Sequence, residues 1–178
     1  ATELRVIHGC LGDKCPALVP LIETPRGLRH AVEIASADGV EAIMFGGGDF
    51  AGELGVSLSW EPLLGARYQF IMACAEAGKP AIDVPFIGLD DEAGLAQECE
   101  KARAMGFAAK AAIHPRQISA IETAFVPSEK ETNEAADALR AYDEAGGAAI
   151  RHNGRMLEAP IIKQYRAVLA RSKGTVNA

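Results

Sequence analysis

Residues 17–23 read Ala-Leu-Val-Pro-Leu-Ile-Glu, and residues 42–49 read Ala-Ile-Met-Phe-Gly-Gly-Gly-Asp. Each stretch is an apolar run with the length and composition of a buried strand, and each ends in a carboxylate, Glu23 or Asp49. The carboxyl ends of strands in a parallel α/β sheet or barrel share one rim, and ligands bind at that rim. Two carboxylates there suit a divalent cation such as Mg²⁺, with water and substrate supplying the remaining ligands.

The same strand-then-helix pattern continues along the chain. We expect strands at residues 17–22, 41–45, 80–86 and 108–113. Helical patterns follow them at residues 25–37, 61–77, 90–105 and 115–125. Strands that alternate with helices at this spacing need parallel crossover connections. The sequence therefore predicts an α/β fold, and periodicity alone leaves open a doubly wound sheet or part of a (β/α)₈ barrel.

Local signals indicate how several helices begin and which face they bury. Thr24 and Pro25 predict an N-cap followed by a proline at the first helical position, and Asp90 predicts another N-cap. In the helix over 61–77 we expect one broad apolar face to be buried. The residues of that face are Leu63, Leu64, Tyr68, Ile71, Met72 and Ala75.

The pattern changes after Pro127. A charged helix over 128–144 precedes a hairpin with a tight Asn-Gly turn and a last amphipathic helix over 160–171. The hairpin and last helix, residues 146–174, are too small to bury their apolar residues alone, so we expect them to pack on a surface elsewhere, either a second subunit or their own barrel. Those residues are Ile150, Met156, Leu157, Ile161 and Ile162. We therefore divide the chain into an α/β domain, residues 1–126, and a helix-hairpin-helix subdomain, residues 127–178.

Composition excludes several classes of partner. The 178 residues carry 18 basic and 24 acidic side chains, a net charge of −6, and neither sign forms a long block. Binding to nucleic acid or to an anionic membrane therefore has no electrostatic support, and small molecules are the better partners. The sequence contains no apolar stretch long enough for a membrane span. Its four cysteines form no CxxC pair, which indicates free thiols in a reducing compartment, so we expect a cytoplasmic protein.

Five segments occur in one order and identify the chain more closely. They read Leu-Ile-Glu-Thr-Pro-Arg-Gly at 21–27, Phe-Gly-Gly-Gly-Asp-Phe-Ala-Gly-Glu-Leu-Gly at 45–55, Ala-Ile-Asp-Val-Pro-Phe at 81–86, Gly-Phe-Ala-Ala-Lys-Ala-Ala-Ile-His-Pro-Arg-Gln at 106–117 and Asn-Gly-Arg-Met-Leu-Glu-Ala-Pro at 153–160. Together they closely resemble the citrate lyase β-subunit and malyl-CoA lyase family of the HpcH/HpaI aldolase superfamily. The resemblance implies a (β/α)₈ TIM barrel, of which this chain supplies about four βα units, its second half.

The resemblance also implies an activity and a metal. It implies that Glu23 and Asp49 hold Mg²⁺, with Mn²⁺ as an alternative, in a carbon–carbon lyase. The substrate is then a 3-hydroxyacyl-CoA such as citryl-CoA or malyl-CoA, which yields a 2-oxo acid and acetyl-CoA. Three other functions stay open at this stage: a pyruvate-dependent aldolase, a malyl-CoA thioesterase, or a non-catalytic subunit.

Individual residues carry further expectations. Gly46, Gly47 and Gly48 either make a tight turn or keep the backbone open to a 2-oxo acid, together with Asp49. Asp83, inside an apolar strand, needs a partner, and a structural or an active-site role remains open. The resemblance places Lys110 and His114 near bound CoA, although a structural histidine is the alternative for His114. For Glu53 we expect an exposed surface carboxylate.

Glu158 occupies the position where the family's lyases usually have an aspartate, which the adjoining subunit contributes as a general acid/base. The extra methylene of glutamate leaves two interpretations open, a catalytic Glu158 or a changed acyl-CoA reaction. The resemblance implies a homo-oligomer, a trimer or hexamer, with the tail as its arm. The chain begins just before the segment that resembles strand five of eight, so we expect it to be part of a longer protein rather than a natural half-length form.

Overall fold

The computed structural model describes residues 2–174, and contacts between Cα atoms divide the chain into two compact units, residues 1–125 and 126–178. In the first unit the helices are α1 (Thr2–Leu11), α2 (Pro25–Arg29), α3 (Ala31–Ala35), α4 (Gly47–Leu54), α5 (Leu64–Ala77), α6 (Glu92–Met105) and α7 (Ile118–Phe125). Short 3₁₀ turns lie at Gly12–Lys14 and Pro115–Gln117. The strands are β1 (Leu21–Ile22), β2 (Ile43–Phe45), β3 (Ala81–Asp83) and β4 (Ala109–Lys110).

The four strands form one parallel sheet in chain order. Leu21 pairs with Met44, Ile43 with Ala81, and Ile82 with Ala109. The spatial order is β1-β2-β3-β4, so no switch point interrupts it. A doubly wound sheet reverses its strand order at such a point, whereas consecutive strands of a (β/α)₈ barrel lie side by side. The observed order therefore favours the barrel.

The helices and strands differ in length from the predicted ones. All four strands are shorter than their apolar runs, and before β1 only an isolated bridge joins Leu18 to Val40. The predicted helix over 25–37 is two short helices that meet at His30, whose ψ of 13° is not helical. Helix α4 was not predicted at all, because its first two residues, Gly47 and Gly48, are weak helix formers.

The apolar face predicted for α5 was only partly correct, since Leu63 is buried and Ile71 packs against the core, but the helix buries a different side. Its buried residues are Arg67, Phe70 and Cys74, with Leu63 just before the helix, and they recur at helical spacing. Tyr68 and Met72 of the predicted face are exposed. Hydropathy pointed to the wrong side because an arginine occupies the centre of the buried face. The main core forms around Phe70, whose ring contacts the rings of Phe45 and Phe107.

The second unit consists of α8 (Glu129–Glu144), the antiparallel hairpin β5 (Ile150–His152) and β6 (Arg155–Leu157), and α9 (Ala159–Gly174). Ser128 caps α8 in a reciprocal capping box with Glu131. Asn153 at φ 49° and Gly154 at φ 77° form the predicted hairpin turn.

The unit also has a small core of its own, built from Ala138, Leu157 and Ile162. Ile150 and Ile161 pack against this core, and Met156 stays exposed. The hairpin and last helix thus bury apolar residues against α8, which lies outside residues 146–174 but within the same unit, and packing on a second subunit stays a prediction. Within residues 2–174, the structure contains no helix that is both long and apolar enough to cross a membrane.

The buried thiol of Cys74 predicts a loss of stability at alkaline pH. Burial raises the pKa of Cys74 from its ordinary value of 9.0 to about 11. The folded chain therefore keeps a proton that the unfolded chain releases, and the resulting stabilisation is lost as the pH rises from about 9 to 11. We expect this residue to lower the free energy of unfolding by about 2–3 kcal/mol across that window.

Urea unfolding at several pH values checks this expectation. The variant Cys74→Ala should lose less stability between neutral and alkaline pH than the unmodified chain does. The variant Cys10→Ala is the control, because Cys10 is exposed. Parallel stability curves for the unmodified chain and Cys74→Ala would contradict the assignment.

Candidate active site

The two carboxylates singled out in the sequence lie beside neighbouring strand ends. Ile22 pairs with Phe45 in the sheet, and the amide of Gly46 donates a hydrogen bond of 2.8 Å to the carbonyl of Ile22. Glu23 is thus the first residue after β1, and Asp49 lies in the first turn of α4, just after β2. Both carboxylates line one open pocket of about 330 Å³.

The remaining lining of this pocket is almost entirely apolar. It consists of Leu21, Met44, Gly46, Gly48, Leu58, Val84, Pro85, Ile87 and Ile113. The pocket therefore combines two acidic side chains with apolar walls in a site that is open to solvent. Such a combination is typical of sites that orient a small ligand through a few polar groups.

The two carboxylates fit a divalent cation. The hydrogen bonds and ion pairs described for residues 2–174 include none to the carboxylate of Glu23 or Asp49. Two hard oxygen ligands with no competing partner match the preference of Mg²⁺, which retains several water or substrate ligands. The same range contains no cluster of three or more histidine, cysteine or acidic residues able to hold a metal. Glu23 and Asp49 would therefore supply only two of the ion's ligands.

The three glycines differ in what surrounds them. A Cβ atom on Gly46 would lie 2.6 Å from the Cβ of Glu23, so glycine is required there for Glu23 to sit beside β2. A Cβ on Gly47 would press on Val84 at 3.2 Å. A Cβ on Gly48 would meet nothing within 4 Å. Close packing therefore requires glycine at position 46 and leaves little room for a side chain at position 47. Gly48 faces open space at the pocket.

Alanine substitutions at Gly46 and Gly48 form a matched pair. We expect Gly46→Ala to lower the free energy of unfolding by about 1–3 kcal/mol, because backbone and side chain must shift around the new methyl group. We expect Gly48→Ala to be neutral or to stabilise by up to about 1 kcal/mol, since alanine is the better helix former. Urea unfolding measures both values. Equal effects of the two substitutions would show that close packing around Gly46 does not limit this turn.

Asp83 lies in a buried network of four charged side chains. Arg67 donates from Nε to Asp83 Oδ1 at 3.0 Å, and Lys110 donates from Nζ to Asp83 Oδ2 at 2.7 Å. The Lys110 ammonium also donates to Glu98 Oε1 at 2.6 Å and to the carbonyl of Val84 at 2.7 Å. Two cations and two carboxylates balance in charge. Of the two roles left open for Asp83, these contacts support the structural one.

The same contacts bear on the predicted role of Lys110. Its side chain is fully buried, and three acceptors take its three ammonium protons. A lysine that contacts a CoA phosphate needs a free, accessible ammonium group. These contacts support a structural role for Lys110 within the network, and a contact with CoA stays a prediction.

Arg67 is the residue of this region that the sequence analysis missed. Only 1% of its surface is exposed, and its guanidinium carbon lies 4.4 Å from the ring centre of Trp60. Its Nη1 atom is buried without a hydrogen-bond partner in the described structure. The only hint in the sequence was an arginine spaced four residues after Leu63 and three before Phe70. Such spacing indicates a buried arginine only when its acidic partners on other elements are known.

The segment after β4 contains a histidine and a buried glutamine. His114 is half-buried, and its Nδ1 accepts a hydrogen bond of 3.2 Å from the amide of Arg116, as an N-cap of the short turn there. Gln117 is 3% exposed and bonds to two backbone groups of neighbouring loops. A CoA contact for His114 stays a prediction, while its local bond fits the structural alternative.

Four further residues were assigned from the sequence. Thr24 caps α2 as predicted, because its hydroxyl accepts from the amide of Gly27 at 2.9 Å. The cap of α6 is Asp91 rather than Asp90. Glu53 is exposed, one turn after Asp49 in α4. Glu158 lies in the second unit between β6 and α9, where it is exposed, and its catalytic role stays a prediction.

Comparison with known proteins places this geometry in a family. Residues 13–115 match the family model described as HpcH/HpaI aldolase/citrate lyase. Residues 68–173 match a second model, described as a C–C bond lyase of the TIM-barrel fold. The second match and the strand order agree with the predicted partial barrel.

Individual relatives extend the likeness along the chain. Citrate lyase subunit beta of Escherichia coli is 34% identical over 177 residues, which cover 96% of this chain and 59% of that protein. A solved citrate lyase from Burkholderia xenovorans superposes with a TM-score of 0.80 at 26% identity, covering 98% of this chain and 58% of that one.

A second solved structure contains ligands. It is protein CitE from Mycobacterium tuberculosis in complex with magnesium, acetoacetate and coenzyme A, with a TM-score of 0.73 at 29% identity. The match covers 86% of this chain and 60% of that one. The chain therefore spans about three fifths of the length of these relatives.

Proposed function

Because the chain belongs to the HpcH/HpaI aldolase/citrate lyase family, we propose that it forms part of a Mg²⁺-dependent carbon–carbon lyase acting on a 3-hydroxyacyl-CoA thioester. Citryl-CoA and malyl-CoA are the substrates that we favour. The observation that carries the proposal is the pair of unpartnered carboxylates, Glu23 and Asp49, in one apolar pocket. The Mycobacterium tuberculosis neighbour, which binds magnesium, acetoacetate and coenzyme A, supports it.

Glu23 and Asp49 would hold the metal ion. Bound Mg²⁺ supplies a Lewis acid that polarises the oxygens of a 2-oxo acid and stabilises negative charge there. The apolar side chains of Val84, Pro85 and Ile87 would contact the carbon skeleton of the substrate. The open backbone at Gly48 would let a carboxylate or carbonyl group approach closely.

The reaction requires two proton movements. In cleavage, a base takes the proton of the 3-hydroxyl group, the C2–C3 bond breaks, and C3 becomes the carbonyl carbon of the 2-oxo acid. The bonding electron pair remains on C2 of the acetyl-CoA enolate, which then receives a proton. A carboxylate such as Glu158 is chemically suited to hold and return that proton.

Ligand binding and product analysis on the full-length protein test this function. We expect 2-oxo acids such as pyruvate and oxaloacetate to bind by calorimetry only when Mg²⁺ is present. With Mg²⁺, citryl-CoA or malyl-CoA should yield acetyl-CoA and a 2-oxo acid. Release of free CoA with intact malate would indicate a thioesterase, and cleavage of 4-hydroxy-2-oxo acids alone would indicate an aldolase. Absence of both metal and ligand binding would favour a non-catalytic subunit.

The role of Glu158 is tested by two substitutions. Glu158→Gln keeps the size of the side chain but removes its ability to carry a proton, so turnover should fall by about two to four orders of magnitude. Glu158→Asp should retain or raise activity, because it restores the residue usual in the family. Calorimetry should show unchanged Mg²⁺ binding in both variants. Full turnover by the Gln variant would exclude Glu158 as the acid/base.

We also propose a homo-oligomer, a trimer or hexamer, in which residues 127–178 form an arm that brings Glu158 to a neighbouring site. The cytoplasm remains the predicted location, consistent with the four cysteines, each of which is a free thiol. Sedimentation of the full-length protein tests the oligomer. A monodisperse monomer with full lyase activity would show that no neighbour completes the site.

A further inference from the structure

The loop after β3, residues 84–87, forms one wall of the candidate site. Val84, Pro85 and Ile87 all line the pocket that contains Glu23 and Asp49. The same three residues also line a second, smaller cavity of about 120 Å³. The loop therefore separates two spaces, and close packing alone does not hold it in position.

The second cavity is bounded by Trp60, Arg67 and Glu98. It gives the loop room to move away from the candidate site. Two side chains oppose such movement by donating hydrogen bonds to the loop's carbonyl groups. Lys110 Nζ lies 2.7 Å from the oxygen of Val84, and Gln117 Nε2 lies 2.7 Å from the oxygen of Phe86.

Gln117 makes a second contact that Lys110 does not. Its Oε1 accepts a hydrogen bond of 3.0 Å from the amide of Ile113. Ile113 follows β4 and also lines the candidate site. One buried side-chain amide therefore joins two separate segments of the site wall, and each end of the amide meets a backbone group of the opposite hydrogen-bonding type.

We propose that Gln117 is a positioning residue, which fixes the loop 84–87 against Ile113 and so sets the fit of the 2-oxo acid. This inference rests on the proposed function of the pocket. The physical reason is that a half-buried carbonyl that loses its donor is destabilised, so loss of the Gln117 donor would favour movement of the Phe86 carbonyl toward another donor. The cavity beside the loop provides the space for that rearrangement.

Two substitutions separate the two bonds of Gln117. Gln117→Glu keeps an acceptor for the Ile113 amide but replaces the donor to Phe86 with an oxygen. Gln117→Met has a similar length and removes both bonds. Ile121→Val in α7 is the control, since it is a small change at another buried position of the same region.

Pyruvate and Mg²⁺ are the probes in the binding experiment on the full-length protein. We expect both Gln117 variants to bind pyruvate about tenfold more weakly at saturating Mg²⁺. The affinity for Mg²⁺ alone should stay within about twofold, because the Glu23 and Asp49 carboxylates do not contact Gln117. Ile121→Val should leave both affinities unchanged. Pyruvate affinity equal to that of this control would overturn the proposal.

Two measurements that do not depend on enzymatic activity complete the test. Hydrogen exchange of the amides in residues 84–87 should be faster in both variants than in Ile121→Val. Trp60, the single tryptophan of this chain, lines the second cavity, so the fluorescence difference between each variant and its Trp60→Phe counterpart should change when the loop moves. If the unmodified protein binds neither Mg²⁺ nor pyruvate, the proposed function fails and, with it, the role in ligand fit. Hydrogen exchange then tests separately whether Gln117 holds the loop 84–87 in position. Unchanged exchange in both variants would refute that role.

Discussion

Replacing Glu23 with Gln, or Asp49 with Asn, is expected to lower turnover of the full-length protein by at least about a hundredfold. Each substitution removes one of the two negative charges that the pocket offers to a cation, while the size of the side chain is kept. Affinity for Mg²⁺ should fall with turnover, and calorimetry with Mg²⁺ alone measures it. Both effects have one cause, since a 2-oxo acid is polarised only by a metal that is bound.

Glu53→Gln is the matched control for this experiment. Glu53 is an exposed glutamate one helical turn beyond Asp49 and outside the pocket lining. It changes the net charge by the same amount as the other two substitutions, so a general electrostatic effect would appear in all three variants. We expect Mg²⁺ affinity and turnover of Glu53→Gln to stay near those of the unmodified protein. Normal Mg²⁺ binding by Glu23→Gln and Asp49→Asn would remove the metal site.

Asp83→Asn is expected to lower the free energy of unfolding by about 3–5 kcal/mol. The side chain of Asp83 is fully buried between the cationic groups of Arg67 and Lys110. Loss of the Asp83 charge leaves the buried cations of Arg67 and Lys110 with only Glu98 to balance them. A domain is stable by only about 5–15 kcal/mol, so a large part of that margin would be lost. Urea unfolding followed by circular dichroism measures the change.

Asp91→Asn is the control for the effect of losing one negative charge. Asp91 is exposed and caps α6 through a hydrogen bond of 2.8 Å to the amide of Gly94. Asparagine caps helices about as well as aspartate, so we expect almost no change in stability. A double variant, Asp83→Leu with Lys110→Met, should be more stable than Asp83→Leu alone, because it removes one of the two buried cations that Glu98 would otherwise have to balance by itself. Equal stability of Asp83→Asn and Asp91→Asn would show that the network contributes little.

The general fold was predictable because local signals and the global arrangement agree. Four apolar runs, each followed by a helical pattern, predicted the parallel α/β sheet that is observed. The short-range capping signal at Thr24 was also sufficient, since a cap involves residues only three positions apart. The turn at Asn153-Gly154 belongs to the same class, because its left-handed backbone needs those residue types.

The buried face of α5 was not predictable in this way. Hydropathy counts Arg67 as a surface residue, and it counts Tyr68 and Met72 as core residues. The charges that make burial of Arg67 favourable come from β3 and α6, at Asp83 and Glu98. Those partners are 16 and 31 residues further along the chain, so no local window contains them.

The candidate site also contains both features that local sequence predicts and features that depend on distant residues. The positions of Glu23 and Asp49 at neighbouring strand ends followed from strand patterns, and a common pocket is observed. The environment of Lys110 did not follow, because its three acceptors lie on β3, the next loop and α6. Gln117 lies within a quoted motif, but no role was predicted for it. Its two hydrogen-bond partners are backbone groups, and the residue types at those positions do not reveal such bonds.

The sheet order has a consequence for how the first unit folds. Each strand pairs with the next strand along the chain, at separations of 23, 38 and 27 residues. The entropy of closing a loop grows slowly with its length, so these three closures have similar costs, and none waits for a distant part of the chain. Pairing of β1 with β2 brings Glu23 next to Gly46 and the start of α4. During synthesis, β1 and β2 leave the ribosome before β3 and β4. Both carboxylates of the pocket could therefore be brought together before β3 and β4 are available for pairing.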